Sequence, residues 1–164
     1  NSIKIKMAKK IASAEADAMV VFYTRDFGKL CCYARGVKKE EAKLKGHIES
    51  LSLSMIQFVL GGAGERLIYA QLLQYWPRIR SEFDRLAAAV YMAELVDRHC
   101  LVGQPDTSIW ELLAASLVTL NHESVPDILD VIQEFERDLL YSLGYGGAKG
   151  MSVLEPTSKF HIRL

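Results

Sequence analysis

The sequence predicts an α+β chain, an N-terminal OB-fold β-barrel followed by a small α-helical domain. Three observations carry this. Apolar and polar residues alternate with period two, in short segments, as far as Trp76. Beyond Ser81 the apolar spacing changes to the three-and-four rhythm of helices. The charge changes sign at the same place. Residues 1–80 carry 14 Lys and Arg against 7 Asp and Glu, a net +7, whereas residues 81–164 carry 6 against 13, a net −7. A basic strand-rich half joined to an acidic helical half suggests that one half meets a polyanion while the other supports it or docks a protein.

Ile3, Ile5 and Met7 alternate with Lys4, Lys6 and Ala8, the pattern of a half-buried strand. A second strand, Ala18 to Arg25, puts Met19, Val21, Tyr23 and Arg25 on one face and Val20, Phe22 and Thr24 on the other. Asp26-Phe27-Gly28 turns the chain into a third strand, Lys29 to Arg35. There Leu30, Cys32 and Ala34 face inward, and Lys29, Cys31, Tyr33 and Arg35 face out. Gly36 ends it, and the lysine-crowded stretch 37–46 reads as a loop with room for a helical turn. Ser52 to Leu60 and Arg66 to Leu73 are two further strands, joined through Gly61-Gly62-Ala63-Gly64 as a hairpin. Five strands with one long connection before the fourth fit a small Greek-key barrel of OB type. Trp76-Pro77 breaks the pattern, because the residue before proline is pushed away from helical geometry.

The remainder reads as helices. Ser81 to Leu101 is apolar on most of its circumference, as in a helix packed on two sides, and Glu94 and Arg98 have the spacing of an ion pair. Gly103-Gln104-Pro105 stops it. Asp106 or Ser108 caps the next helix, with Glu111 completing a capping box from Ser108. Ser124-Val125-Pro126-Asp127 opens a third, whose stripe Ile128, Ile132, Phe135, Leu139 and Leu143 ends at Gly144. The expected organisation is 1–76 barrel, 77–146 helical domain and 147–164 tail, in which Lys159 to Leu164 could add a short strand.

Composition narrows the function. No apolar run reaches the roughly 20 residues of a membrane span, and residues 1–11 lack a signal-peptide block, so a cytoplasmic location is expected. Asn1 in place of an initiator Met suggests a trimmed chain. Cys31, Cys32 and Cys100 give no disulfide framework and no zinc spacing, and read as buried reduced thiols. His47, His99, His122 and His161 stand apart. Gly61-Gly62-Ala63-Gly64-Glu65-Arg66 lacks the Gly-Lys-Ser/Thr ending of a phosphate-binding loop. Gly144-Tyr145-Gly146-Gly147 follows a helix, where a dinucleotide fingerprint would follow a strand. Asp84, Glu94 and Asp97 read as a solvated acidic face with one ion pair. A non-enzymatic protein with no metal and no cofactor is therefore expected.

The basic half carries the stronger signal. Lys29, Tyr33 and Arg35 share one strand face with Tyr23 and Arg25 on the neighbouring strand. Phosphates would meet the cations, and bases would stack on tyrosine without sequence selectivity. Lys38, Lys39, Lys43 and Lys45 widen the patch. Arg66, and after it Arg78 and Arg80, are further candidates. The alternatives are a protein-interaction module on the same fold and an OB-fold RNA-binding protein.

Several segments together resemble a known family. They are Glu15-Ala16-Asp17, Thr24-Arg25-Asp26-Phe27-Gly28-Lys29-Leu30, Ala34-Arg35-Gly36-Val37-Lys38-Lys39 and Leu44-Lys45-Gly46. Gly61-Gly62-Ala63-Gly64, Leu67 to Tyr75, Ala89 to Arg98 and Phe135-Glu136-Arg137-Asp138-Leu139-Leu140-Tyr141-Ser142-Leu143-Gly144-Tyr145 continue the likeness. In order and spacing they are similar to the bacterial recombination mediator RecO, over residues 3–146. The resemblance implies an OB-fold domain followed by a helical one, and binding of single- and double-stranded DNA without catalysis. It further implies annealing of complementary strands and loading of recombinase onto DNA. It puts Lys29, Arg35, Lys38 and Lys39 in the family's basic segment and names RecR and single-strand-binding protein as partners. There are two departures. The family usually continues well past this point, often with a four-cysteine zinc site, whereas this chain ends at Leu164 without those cysteines. Gln133 and Glu134 stand where some members carry arginines that hold the acidic tail of single-strand-binding protein.

Overall fold

The computed structural model describes residues 2–6, 10–12, 18–35, 47, 49–62, 64–125 and 127–145, the first two segments as backbone. The strands are β1 (Ser2–Lys6), β2 (Lys10–Ala12), β3 (Ala18–Thr24), β4 (Gly28–Ala34), β5 (Ser52–Gly61) and β6 (Gly64–Gln74). Their order is β1-β5-β6-β4-β3-β2, and a further β1–β3 pairing closes the sheet on itself. β1 and β2 both lie against β3, at Lys4↔Thr24 and Lys10↔Val20, and so act as one bent first strand. Counted that way the barrel has five strands. The ladders are antiparallel except for β4 beside β6, which is parallel at Cys32↔Glu65 and Tyr33↔Arg66. This is the OB arrangement the alternation predicts. Sequence reading misses β2 as a separate piece, since Lys10-Ile11-Ala12 is too short to display a period.

The barrel core is built by alternation. Ala18, Val20 and Phe22 come from β3, Leu30, Cys32 and Ala34 from β4, Ile56 from β5, and Leu67 and Ala70 from β6; all are at most 5% exposed. The inward and outward residues of β4 are those the sequence assigns. β3 is different: its outward Val21 and Tyr23 are buried as well.

The helices are α1 (Pro77–Ser81), α2 (Phe83–His99), α3 (Thr107–Asn121) and α4 (Ile128–Leu140), followed by a wide turn at Tyr141–Tyr145. α1 is unforeseen. Pro77 occupies its first position, where a missing N–H loses nothing, and buried Trp76 anchors its start. Extended backbone at Glu82 (φ −117°, ψ 118°) separates α1 from α2, so the expected helix starts at Phe83 instead of Ser81. α2 packs one face, Ala88, Ala89, Met92, Ala93 and Val96, into the helical core, while Val90 on its far side is exposed. Asp106 caps α3, accepting from Ile109 N at 3.0 Å; the Ser108–Glu111 capping box does not form, because Glu111 turns toward the barrel. α4 is capped by Asp127, accepting from Leu129 N at 2.9 Å, in place of Ser124. Gly144 takes the left-handed φ of 89° that ends the last turn.

Arg85 is the buried charge that sequence reading misses. At 6% exposure it donates to the carbonyl oxygens of Leu120 (2.7 Å) and His122 (2.6 Å), and its Nε lies 2.5 Å from Glu82 Oε2. It thereby caps the C-terminal carbonyls of α3, that of Leu120 in a buried bond. Tyr91 bonds Glu136 across α2 and α4. Burial first, then that bond, push its pKa up to about 12.

Phe135 is 1% exposed and lies in the helical core with Leu139 and Val131. Phe135→Ala should therefore cost about 3–5 kcal/mol, read as a fall in the urea midpoint. An unchanged midpoint would place the ring outside the core.

Candidate nucleic-acid interface

The outward face of β3 and β4 divides into a covered half and an open half. At the covered end, Arg25-Asp26-Phe27 joins the two strands. Thr24 Oγ1 accepts from Phe27 N at 2.9 Å, and Gly28 follows at a φ of +64°. This turn presses Gly28 against the α2–α3 linker, where a Cβ would lie 2.0 Å from the Gln104 carbonyl oxygen. The linker also bonds to the strand. Gly103 N donates to Lys29 O at 3.0 Å, and Val102 pairs with Lys29 as a parallel bridge.

The side chains expected to meet a polyanion here meet the helices instead. Lys29 is 16% exposed, its Nζ donating to the Asp97 carbonyl oxygen at 2.6 Å and lying 3.2 Å from Asp97 Oδ1. Asp97 is thus a second ion-paired acid of α2, beside Glu94, which pairs with Arg98 at 3.4 Å. Arg25 pairs with Glu111 at 3.1 Å and stands over Trp110, 5.9 Å from the ring centroid. Both side chains of that pair are about half exposed, so it adds little stability. Tyr23 is fully buried, with its hydroxyl 3.5 Å from the Asp106 carbonyl oxygen. Burial, and then a hydrogen bond with Cys100, push its ionisation up. It is a packing residue, and no base can reach it. The charge split thus has a structural use, since carboxylates of the acidic half hold cations of the basic half.

Further along β4 the face is open. The register aligns one outward side chain from each of four strands: Met19 on β3, Tyr33 on β4, Arg66 on β6 and Val59 on β5. Met19 and Tyr33 are half-buried, and Arg66 and Val59 are exposed. Arg35 directly follows β4 and is exposed, six residues from Lys29, or roughly 20 Å along an extended strand. Lys38, Lys39, Lys43 and Lys45 lie outside the described residues, in the segment that follows Arg35. Two fallback candidates are engaged: Arg78 pairs with Glu123 at 3.5 Å, and Arg80 bonds Ser50 O and lies 4.8 Å from the Tyr75 ring centroid.

The three thiols are free, Cys32 and Cys100 buried and Cys31 half-buried. Burial, partly opposed by Lys29, pushes the Cys31 thiol up. His47 and His122 each accept a backbone N–H at 3.3 Å, from Leu72 and Ser124. Sequence reading also misses Ile68 and Tyr69, exposed neighbours of Arg66 on β6. The signal was there: Leu67-Ile68-Tyr69-Ala70 breaks strict alternation, and the structure has a register shift opposite Gln57/Phe58.

A closed five-strand OB barrel with an acidic helical unit docked on part of its outer face defines the class of protein. Two successive models of one family match this chain: Recombination protein O N terminal over residues 8–76, and Recombination protein O C terminal over residues 80–147. The chain belongs to the RecO family of DNA repair proteins. It is 30% identical over 142 residues to a DNA repair protein RecO of Dehalococcoides mccartyi (strain CBDB1), covering 87% of this chain and 55% of that one. With the protein of that name from Roseiflexus sp. (strain RS-1) it shares 30% over 154 residues, 90% of this chain and 53% of the other. For Gloeothece citriformis (strain PCC 7424) the figures are 29% over 121 residues, 74% and 43%. The chain spans about half the length of the curated relatives it matches. Among the described residues no helix is long and apolar enough to cross a membrane.

Proposed function

We propose that this chain is a non-catalytic DNA-binding protein of bacterial, cytoplasmic recombination and repair, and that it holds DNA on the open half of the barrel face. The contacts are Tyr33, Arg35 and Arg66, extended by Lys38, Lys39, Lys43 and Lys45. Single strands use both the cations and the rings; double strands use the cations alone. Annealing of complementary strands and loading of recombinase belong to the same proposal. One observation carries it: the helices engage Arg25 and Lys29 but leave Arg35 and Arg66 exposed beside Tyr33. The relatives' printed name, DNA repair protein RecO, supports it.

Partnership with RecR and single-strand-binding protein is part of the proposal, with one constraint on the second. On α4, Gln133 and Glu134 are exposed, and Glu134 pairs with Arg137 at 3.6 Å. Asp130 and Asp138 are exposed on the same helix. An acidic tail laid there would meet like charges, so that partner would need another seat.

A salt series tests the proposal. Affinity for single-stranded DNA should fall linearly in log–log form, with a slope of about −0.7 per phosphate contacted. Binding that stays flat up to physiological salt would count against an electrostatic path and favour the protein-interaction module.

A further inference from the structure

We infer that Tyr69 is a base-stacking platform for single-stranded DNA, a second one beside Tyr33. The inference rests on the DNA-binding reading above and adds a position to it that alternation along the strand does not reveal. In β6 the inward residues are Leu67 and Ala70, with two residues between them instead of one. The extra residue is a bulge, seen as the register jump from Phe58↔Leu67 to Gln57↔Tyr69. A bulge bends its strand and re-aims side chains, and such bulges recur beside functional sites. Here it leaves Ile68 and Tyr69 both exposed, at 47% and 40%.

The surroundings of Tyr69 match what a base requires. Its hydroxyl donates to Gln71 Oε1 at 3.1 Å, which fixes the ring while leaving the side chain well exposed. Arg66 lies three residues earlier on the same strand, and Tyr33 pairs in register with Arg66. The two tyrosines are thus separated by roughly 10 Å along the strand direction, with Arg66 directly across from Tyr33. A strand with a base stacked on each ring would run past the exposed Arg66 beside Tyr33, where a phosphate can meet its charge. Duplex DNA cannot use this arrangement, because its base faces are already stacked on one another. The platform therefore separates single strands from double strands, which a cationic surface alone does not.

The test compares an oligo-dT with an abasic oligomer of the same number of phosphates. The wild-type chain should bind oligo-dT more tightly. Tyr69→Ala should weaken oligo-dT at least about fivefold and leave the abasic oligomer unchanged, while Tyr69→Phe should retain wild-type affinity for both. Equal affinity of the wild type for the two oligomers would overturn the inference. So would a Tyr69→Ala chain that loses both alike or neither. Failure of the wild type to bind either oligomer would remove the DNA-binding reading together with it.

Discussion

A Gly28→Ala chain is expected to lose more than about 4 kcal/mol of stability, because two independent penalties fall on one residue. The first is conformational: a φ of +64° lies where an L side chain crowds its own backbone. The second is steric. A Cβ at this position would sit 2.0 Å from the Gln104 carbonyl oxygen, 2.4 Å from its carbon and 2.9 Å from Pro105 N. All three are backbone atoms, so no rotamer change relieves the overlap, and the α2–α3 linker must move off the barrel. That movement would break the Gly103–Lys29 backbone bond and pull Lys29 from Asp97. Gly103→Ala is the control. Gly103 also has a positive φ, +75°, but nothing lies within 4 Å of its Cβ position. It should show the conformational term alone, about 1–2 kcal/mol. Urea midpoints of the two variants separate the terms. Equal midpoints would mean that the linker yields freely and that Gly28 is only a turn residue.

The Thr24 to Gly28 segment shows where sequence reading succeeds and where it stops. The turn was legible, since Asp26-Phe27-Gly28 lies between two alternating runs. That its glycine is also the seat of a linker 75 residues away was not, because contact between distant segments leaves no local period. The same limit explains the site. Alternation correctly put Lys29, Cys31 and Tyr33 on the outward face of β4, with exposed Arg35 directly after it. It could not say which part of that face the helices would cover, and Tyr23, Arg25 and Lys29 went to the covered part. Tyr69 was obscured for a different reason: a bulge destroys the period that reveals which way a side chain faces. Arg85 was hidden within a helix read as apolar, although Glu82 three residues before it marked a partner for a buried cation. Strands β3 to β6 and helices α2 to α4 were legible because each runs through several repeats of its own period. β2 and α1, at three and five residues, do not.

Reversing two cations of the open half, Arg35→Glu with Arg66→Glu, should lower DNA affinity at physiological salt by at least about a hundredfold. On the proposed path each change would remove a phosphate contact and add a repulsive charge at the same point. The fold should survive, because both side chains are exposed and surface substitutions usually shift stability within about half a kcal/mol. Lys29→Gln makes the complementary measurement. Lys29 carries the same charge on the same strand face, but it is held by Asp97 beneath the helices. Its loss leaves a half-buried carboxylate without its cation, so stability should fall by about 1–2 kcal/mol while DNA affinity and its salt slope hold. The opposite pattern, with affinity lost in Lys29→Gln and kept in the double reversal, would put the DNA path on the covered half. The α2–α3 linker would then have to leave the barrel before DNA could bind. Melting curves and salt titrations of these two proteins therefore decide whether the docked helices are a permanent support or a cover.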